Sequence, residues 1–212
     1  MYDDEIRSRR HYDARAPLYD WANRLAALVR GTSAKRERSK AIAKLGLAPG
    51  LRVLEVCVGT GTNLPLIRDR LAPGGTFVGL DISRNMLVRC HRHPFGRVAV
   101  TLVEGEAAHL PFADQSFDAV LQHGGLAEFG DRRGAIAEMA RVARPAAKVV
   151  ICDVGVPENG RVSLLNRWLL KLQPEYEKPP PLDLLPASAQ DVSLTWIARG
   201  SWYLLDFVNR PG

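Results

Sequence analysis

Two acids and two glycines in this chain have the types and spacing to do chemistry. Glu55 stands in the run Val53-Leu54-Glu55-Val56-Cys57-Val58, and Gly59-Thr60-Gly61-Thr62-Asn63 follows at once. Gly59 and Gly61 make a tight turn where a ligand can touch backbone. Asp81 ends a second apolar run, Thr76-Phe77-Val78-Gly79-Leu80, 26 residues after Glu55. A carboxylate there can accept both hydroxyls of a ribose, which few other side chains could do as well. The elements that must position these groups are legible around them. The first run reads as a buried parallel strand. Thr62, Asn63 and Pro65 predict a helix start, with capping side chains and then proline in the first turn. A strand, a glycine turn, a helix, a second strand and a terminal acid form the nucleoside-binding half of a doubly wound sheet.

The dinucleotide fingerprint Gly-x-Gly-x-x-Gly is incomplete, because Leu64 stands where the third glycine belongs. That weakens a nicotinamide reading. A carboxylate at Glu55 repels a pyrophosphate and suits a cationic ligand end. Acid-x-x-x-Gly-x-Gly followed by a strand-end Asp resembles the S-adenosylmethionine site of class I methyltransferases. Further stretches resemble the same family. Val103 to Phe112 is similar to the segment after the third strand, where an acid meets the adenine amine; here that acid would be Glu106, with Glu104 a competing register. Ser116 to Gln122 resembles strand four, Ala137 to Pro145 the next helix, and Val149 to Asp153 strand five. The resemblance covers roughly residues 45–155. The opening Tyr12 to Asp20 resembles the ubiquinone/menaquinone C-methyltransferase group.

The resemblance implies S-adenosyl-L-methionine as cofactor and a Rossmann-like α/β fold, doubly wound, with a mostly parallel seven-stranded sheet. Its cofactor-binding set would be Glu55, Cys57, Gly59, Thr60, Gly61, Asn63, Asp81, Ile82, Met86, Gly105, Glu106, Ala107, Gln122 and His123. Cys57 replaces the motif's first glycine, and Ala146-Ala147 replaces the usual Gly-Gly before strand five. His123 lies where methyl group and acceptor should meet, followed by Gly124-Gly125, which leave room. It is the candidate catalytic residue, as a general base titrating near ~6.5 before any environmental shift. The other reading makes it a residue of the cofactor loop. Tyr12, Tyr19, Trp21 and Gly124 are the candidate substrate contacts.

A single domain over 1–212 is expected, in four parts. Residues 1–45 form an N-terminal helical arm or lid, in which Leu18, Trp21, Leu25 and Leu28 share a face and Ser33 caps a second helix ending near Gly46. Residues 46–155 form the cofactor-binding core, 156–190 a substrate-cover segment with an amphipathic helix over 161–172, and 191–209 a closing hairpin. Helices are expected after Ser83 and over 132–144.

No apolar run reaches the ~18 residues of a membrane span. The polar, charged first residues predict no signal peptide and a cytoplasmic protein. Three cysteines, two of them in predicted central strands, predict no disulfide framework. Cys90-His91-Arg92-His93 lacks the two-pair spacing of a zinc site, so no metal is expected. The net charge is +6; residues 1–45 hold 11 Lys/Arg against 6 Asp/Glu, and the rest hold 18 against 17. The core thus reads as neutral, with no broad basic face and no nucleic-acid partner. The basic arm offers a peripheral contact to anionic lipid, against the blander reading of a solvated helix surface. These readings converge on methyl transfer to a small lipophilic or aromatic acceptor, quinone-like or a secondary metabolite, at carbon or oxygen. A phospholipid amine acceptor, a nicotinamide oxidoreductase and a non-catalytic cofactor-binding protein are the alternatives.

Overall fold

The computed structural model describes residues 33–157 and 178–210. Seven strands form one sheet: β1 (Arg52–Val56), β2 (Thr76–Asp81), β3 (Ala99–Glu104), β4 (Phe117–His123), β5 (Ala143–Val154), β6 (Ala189–Ile197) and β7 (Trp202–Asn209). Their spatial order is β3-β2-β1-β4-β5-β7-β6. The pairs up to β5 are parallel, whereas β7 runs antiparallel to both β5 and β6. This is the expected mostly parallel doubly wound sheet with an antiparallel hairpin edge. The arm helix through Trp21, with Tyr12 and Tyr19, and the expected helix over 161–172 lie outside the described residues.

Among the described residues four helices cover the sheet: α1 (Ala34–Lys44), α2 (Leu64–Leu71), α3 (Arg84–Cys90) and α4 (Arg132–Val142). Side-chain alternation divides the core. Leu54, Val56, Val120, Val149 and Ile151 pack with Ala135, Ile136 and Met139 of α4. Their neighbours Val53, Ala119, Leu121 and Val150 pack on the other face with Ile42, Leu64, Ile67 and Leu87 of α1, α2 and α3. Most of these side chains are fully buried, the Val, Leu, Ile and Met among them contributing roughly 1.5–3 kcal/mol each. The central strands are apolar on both faces, as a covered parallel sheet requires.

The helix starts follow cap chemistry. The Ser33 hydroxyl accepts from the Arg36 N–H, Ser83 from Met86, and the Asp131 carboxylate from Gly134. α2 departs from expectation: Asn63 makes no side-chain cap bond, because its amide is used elsewhere. α4 ends at Val142, short of the expected 144, and β5 begins at once. Pro145 forces this, since the residue before a proline favours extended backbone.

The expectation of a neutral core without a broad basic face needs correction. Of the net +5 in residues 1–45, +4 belongs to 33–45, which is α1 and its cap. α1 is a layer of the domain, with Ala41 and Ile42 fully buried beside α2 and α3. Charges from three separate sequence segments therefore share one face, which a running tally along the chain averages away.

Candidate active site

The glycine turn after β1 is built around Asp81. Its Oδ2 accepts the Gly59 N–H at 2.8 Å and its Oδ1 accepts the Ser83 N–H at 2.9 Å. One carboxylate thus clamps the turn to the start of α3. Cys57 adopts φ 60°, a left-handed conformation unusual for a residue with a Cβ, so the turn keeps its shape without the glycine. Gly59 has φ +55°, and a Cβ there would meet open space. Gly61 has φ +81°, and a Cβ there would lie 2.6 Å from Cys90 Sγ. The two glycines serve different ends. Gly59 leaves its backbone open to a ligand, and Gly61 lets the turn pack against α3.

A cleft of about 740 Å³ opens at the carboxyl ends of β1, β2 and β4. Nine of the expected cofactor residues line it: Cys57, Gly59, Asp81, Ile82, Met86, Gly105, Glu106, Ala107 and His123. Gly124, expected to face substrate, lines it too. The register between the two acids after β3 favours Glu106, which lines the cleft, whereas Glu104 ends β3 exposed. His109 Nδ1 lies 3.2 Å from Glu106 Oε1, yet off the hydrogen-bond direction, so that buried oxygen has no hydrogen-bond partner among the described residues. The loop carrying Gly105 and Glu106 is held from below by α4. Arg141 forks onto Glu138 at 2.6 and 2.7 Å and donates to the Leu110 and Phe112 carbonyls. Glu138 in turn accepts the Leu110 N–H at 2.8 Å. The Arg141 fork holds the Glu138 carboxyl below its usual range.

Glu55, Thr60, Gly61, Asn63 and Gln122 do not line the cleft. Gln122 is buried and donates to the Gly124 carbonyl at 2.7 Å, fixing the turn after β4. Glu55 lies behind the glycine turn, where Asn63 donates to its Oε1 at 2.6 Å. Its Oε2 is buried without a partner among the described residues. Burial pushes its carboxyl up to about 8, against smaller opposing effects of Asn63 and Arg38. Asn63 Oδ1 accepts from Arg38 Nη1 at 3.1 Å, which explains why this side chain does not cap α2.

The same Arg38 nitrogen lies 3.4 Å from His123 Nδ1. A guanidinium only donates, so Nδ1 is the acceptor and the ring proton sits on Nε2. Burial and the Arg38 charge push the His123 pKa well below 6.5, so the expectation of titration near that value does not hold. The ring packs on Trp202, centroids 5.3 Å apart. Asp153, at the end of β5, accepts the Ala127 N–H at 3.1 Å and steadies the loop beyond Gly125; burial raises its carboxyl to about 6.

Sequence reading missed Arg38, 85 residues before His123, and missed Glu128, Phe129, Gly130 and Asp131 on the cleft wall. Charge on Arg38 was visible, but nothing local in α1 aims it at β4. No cluster of potential metal ligands occurs among the described residues.

Comparison with known proteins places this geometry. A family model described as a methyltransferase domain matches residues 54–151. The demethylmenaquinone methyltransferase of Mycobacterium sp. (strain KMS) is 35% identical over 77% of this chain and 66% of its own length. That of Renibacterium salmoninarum is 32% identical over 95% of this chain and 86% of its own. Among solved structures, the [4+2]-cyclase SpnF matches with TM-score 0.73 and 18% identity, over 98% of this chain and 97% of that one. An S-adenosylmethionine-dependent methyltransferase from Aquifex aeolicus matches with TM-score 0.58 and 18% identity, over 81% and 89%. At such identities the structural likeness is one of fold. The domain match and these relatives set the class, that of methyltransferases, on this fold. Within that class, the chain belongs to the methyltransferase family that contains the demethylmenaquinone methyltransferases.

Proposed function

We propose that the protein methylates a ring carbon of a small, lipophilic, quinol-type acceptor. The observation that carries this is the 32% identity to a demethylmenaquinone methyltransferase over 95% of the chain. The residues present fit the cofactor. Asp81, locked by two backbone amides, holds the ribose, and Gly59 exposes backbone beside it. Glu106 brings a buried oxygen, without a hydrogen-bond partner among the described residues, to the adenine amine, between Ile82, Met86 and Ala107. Behind the turn, Glu55 has a buried oxygen without a partner among the described residues, and a cationic ligand end nearby would draw its raised carboxyl back toward the charged form. Bound there, the cofactor supplies a methyl group on a sulfonium, a good leaving group.

The protein's remaining task is alignment and exclusion of water. Gly124 and Gly125 leave room past β4, and Phe129 gives an apolar wall. His123 is held as a neutral donor by Arg38, so its Nε2–H points a hydrogen bond at an acceptor oxygen rather than removing a proton. The ring carbon gains the methyl group and loses its proton to solvent. Residues 46–155 with 191–209 form the scaffold, and α1 packs against it as a layer rather than as part of a lid. The test is incubation with methyl-labelled S-adenosylmethionine and a reduced demethylated naphthoquinone. Label on the ring carbon, matched by S-adenosylhomocysteine, is expected. Label on oxygen, or on an ethanolamine lipid in place of the quinol, would overturn the carbon-acceptor reading.

A further inference from the structure

The two faces of the sheet carry opposite charge. Residues 33–50, 61–75 and 83–98 make the α1, α2 and α3 layer, and they hold eleven Lys or Arg against two acids, Glu37 and Asp69. Residues 105–116 and 124–142, in the α4 layer, hold three Arg against five acids. Both acids of the basic layer are already paired, Glu37 with Lys40 and Asp69 with Arg68. Lys35, Arg36, Arg84, Arg89, Arg92 and Arg97 make no ion pair among the described residues. With Arg70, which donates only to the Leu66 carbonyl, they make seven surface cations without an ion pair among the described residues, and their field extends about a Debye length into solvent.

The outer face of α3 adds an apolar element. Arg84 and Val88 stand one turn apart on α3, and the exposed Arg92 follows in the turn just past its His91 C-cap. Val88 is 51% exposed, more than any other large hydrophobic among the described residues. An exposed aliphatic side chain between two arginines suits a headgroup interface, where the guanidiniums meet phosphates and the valine meets acyl chains. The alternative anion, nucleic acid, fits less well. The surface is the outside of helices rather than a groove, and its aromatic residue, Phe95, is half-buried edge-on against His91.

We propose that the α1–α3 layer, centred on the exposed Arg84, Val88 and Arg92, docks the protein on anionic phospholipid bilayers. α3 begins three residues after Asp81, and its Met86 lines the cleft. Docking therefore puts the cleft one helix away from the membrane. The surface binds lipid whether or not the acceptor is a quinol, so its test needs no acceptor.

The full chain is sedimented with vesicles of equimolar phosphatidylcholine and phosphatidylglycerol, with phosphatidylcholine vesicles alone, and with duplex RNA. Partitioning into the anionic vesicles is expected, weakening as salt rises. Arg84→Glu/Arg92→Glu/Arg97→Glu should lower it by about 100-fold or more, from the usual contribution of each basic residue near an anionic surface. Arg84→Gln/Arg92→Gln/Arg97→Gln should give a smaller loss, and serves if the reversal variant melts early. Cofactor affinity should stay at the wild-type value in a folded variant. Equal partitioning into both vesicle types, partitioning untouched by the substitutions, or tighter binding to duplex RNA than to vesicles would overturn the proposal.

Discussion

Replacing Asp81 separates its two duties. Its carboxylate accepts the Gly59 N–H at 2.8 Å and the Ser83 N–H at 2.9 Å, and the residue is only 6% exposed. The sequence alone suggests that a strand-end acid carries little structural weight; the two bonds say otherwise. Each is charge-assisted, worth about 1.5–3 kcal/mol, and truncation leaves both N–H groups short of an acceptor. Water can enter from the cleft and recover part of the loss. Asp81→Ala should thus destabilise the ligand-free protein by about 2–4 kcal/mol, a drop in Tm of roughly 5–15 °C for a chain of this length. Asp81→Asn should lose about half as much, since its amide oxygen can satisfy one N–H while its NH₂ opposes the other. Both should weaken S-adenosylhomocysteine binding by at least tenfold. The assays are thermal unfolding without ligand and calorimetry with it. An unchanged Tm in the alanine variant would refute the clamp, and unchanged affinity would remove Asp81 from the site.

Three further expectations follow from the same geometry. Glu55 has its carboxyl raised from 4.5 to about 8, so its protonated form favours the fold; stability present below 4.5 should fall as pH rises toward 8. Glu55→Gln, which keeps an acceptor for Asn63, should flatten that slope and raise Tm at pH 8; an unaltered slope would exonerate Glu55. Gly61→Ala should destabilise by about 2–4 kcal/mol, from left-handed strain and the 2.6 Å approach to Cys90 Sγ, whereas Gly59→Ala should cost about 1–2 kcal/mol and mainly weaken cofactor binding. Equal unfolding midpoints for the two would contradict their assigned roles. His123 stays neutral well below 6.5, so no inflection near that pH should appear in the rate profile, and Arg38→Met should shift the ring nitrogen resonances in ¹⁵N spectra. A rate that climbs through pH 6.5 only when His123 is present would restore it as a base.

The parts of the site legible in sequence are those built from contiguous residues. The strand, the turn with Gly59 and the terminal Asp81 sit within one βαβ unit, where spacing alone encodes geometry. Glu106 was legible because it follows β3 by two residues. What escaped is long-range. Arg38 reaches His123 across 85 residues, from a helix whose own periodicity says only that it is amphipathic. Gly61 was legible as a glycine the turn needs, but its partner Cys90 is in another helix. Asn63 looked like a helix cap because caps are local; its amide goes instead to Glu55, a choice fixed by the burial of that acid. The basic layer escaped for the same reason, since it exists only once α1, α2 and α3 lie side by side.

The cleft bounded by Gly59, Asp81 and Glu106 should hold S-adenosylmethionine for methyl transfer. The most direct measurement is a crystal structure of the complex with S-adenosylhomocysteine. Both ribose hydroxyls should lie on the Asp81 carboxylate, the adenine amine on Glu106, and the amino-acid end over the Gly59 turn. Ligand density elsewhere, or a ribose with no contact to Asp81, would contradict it.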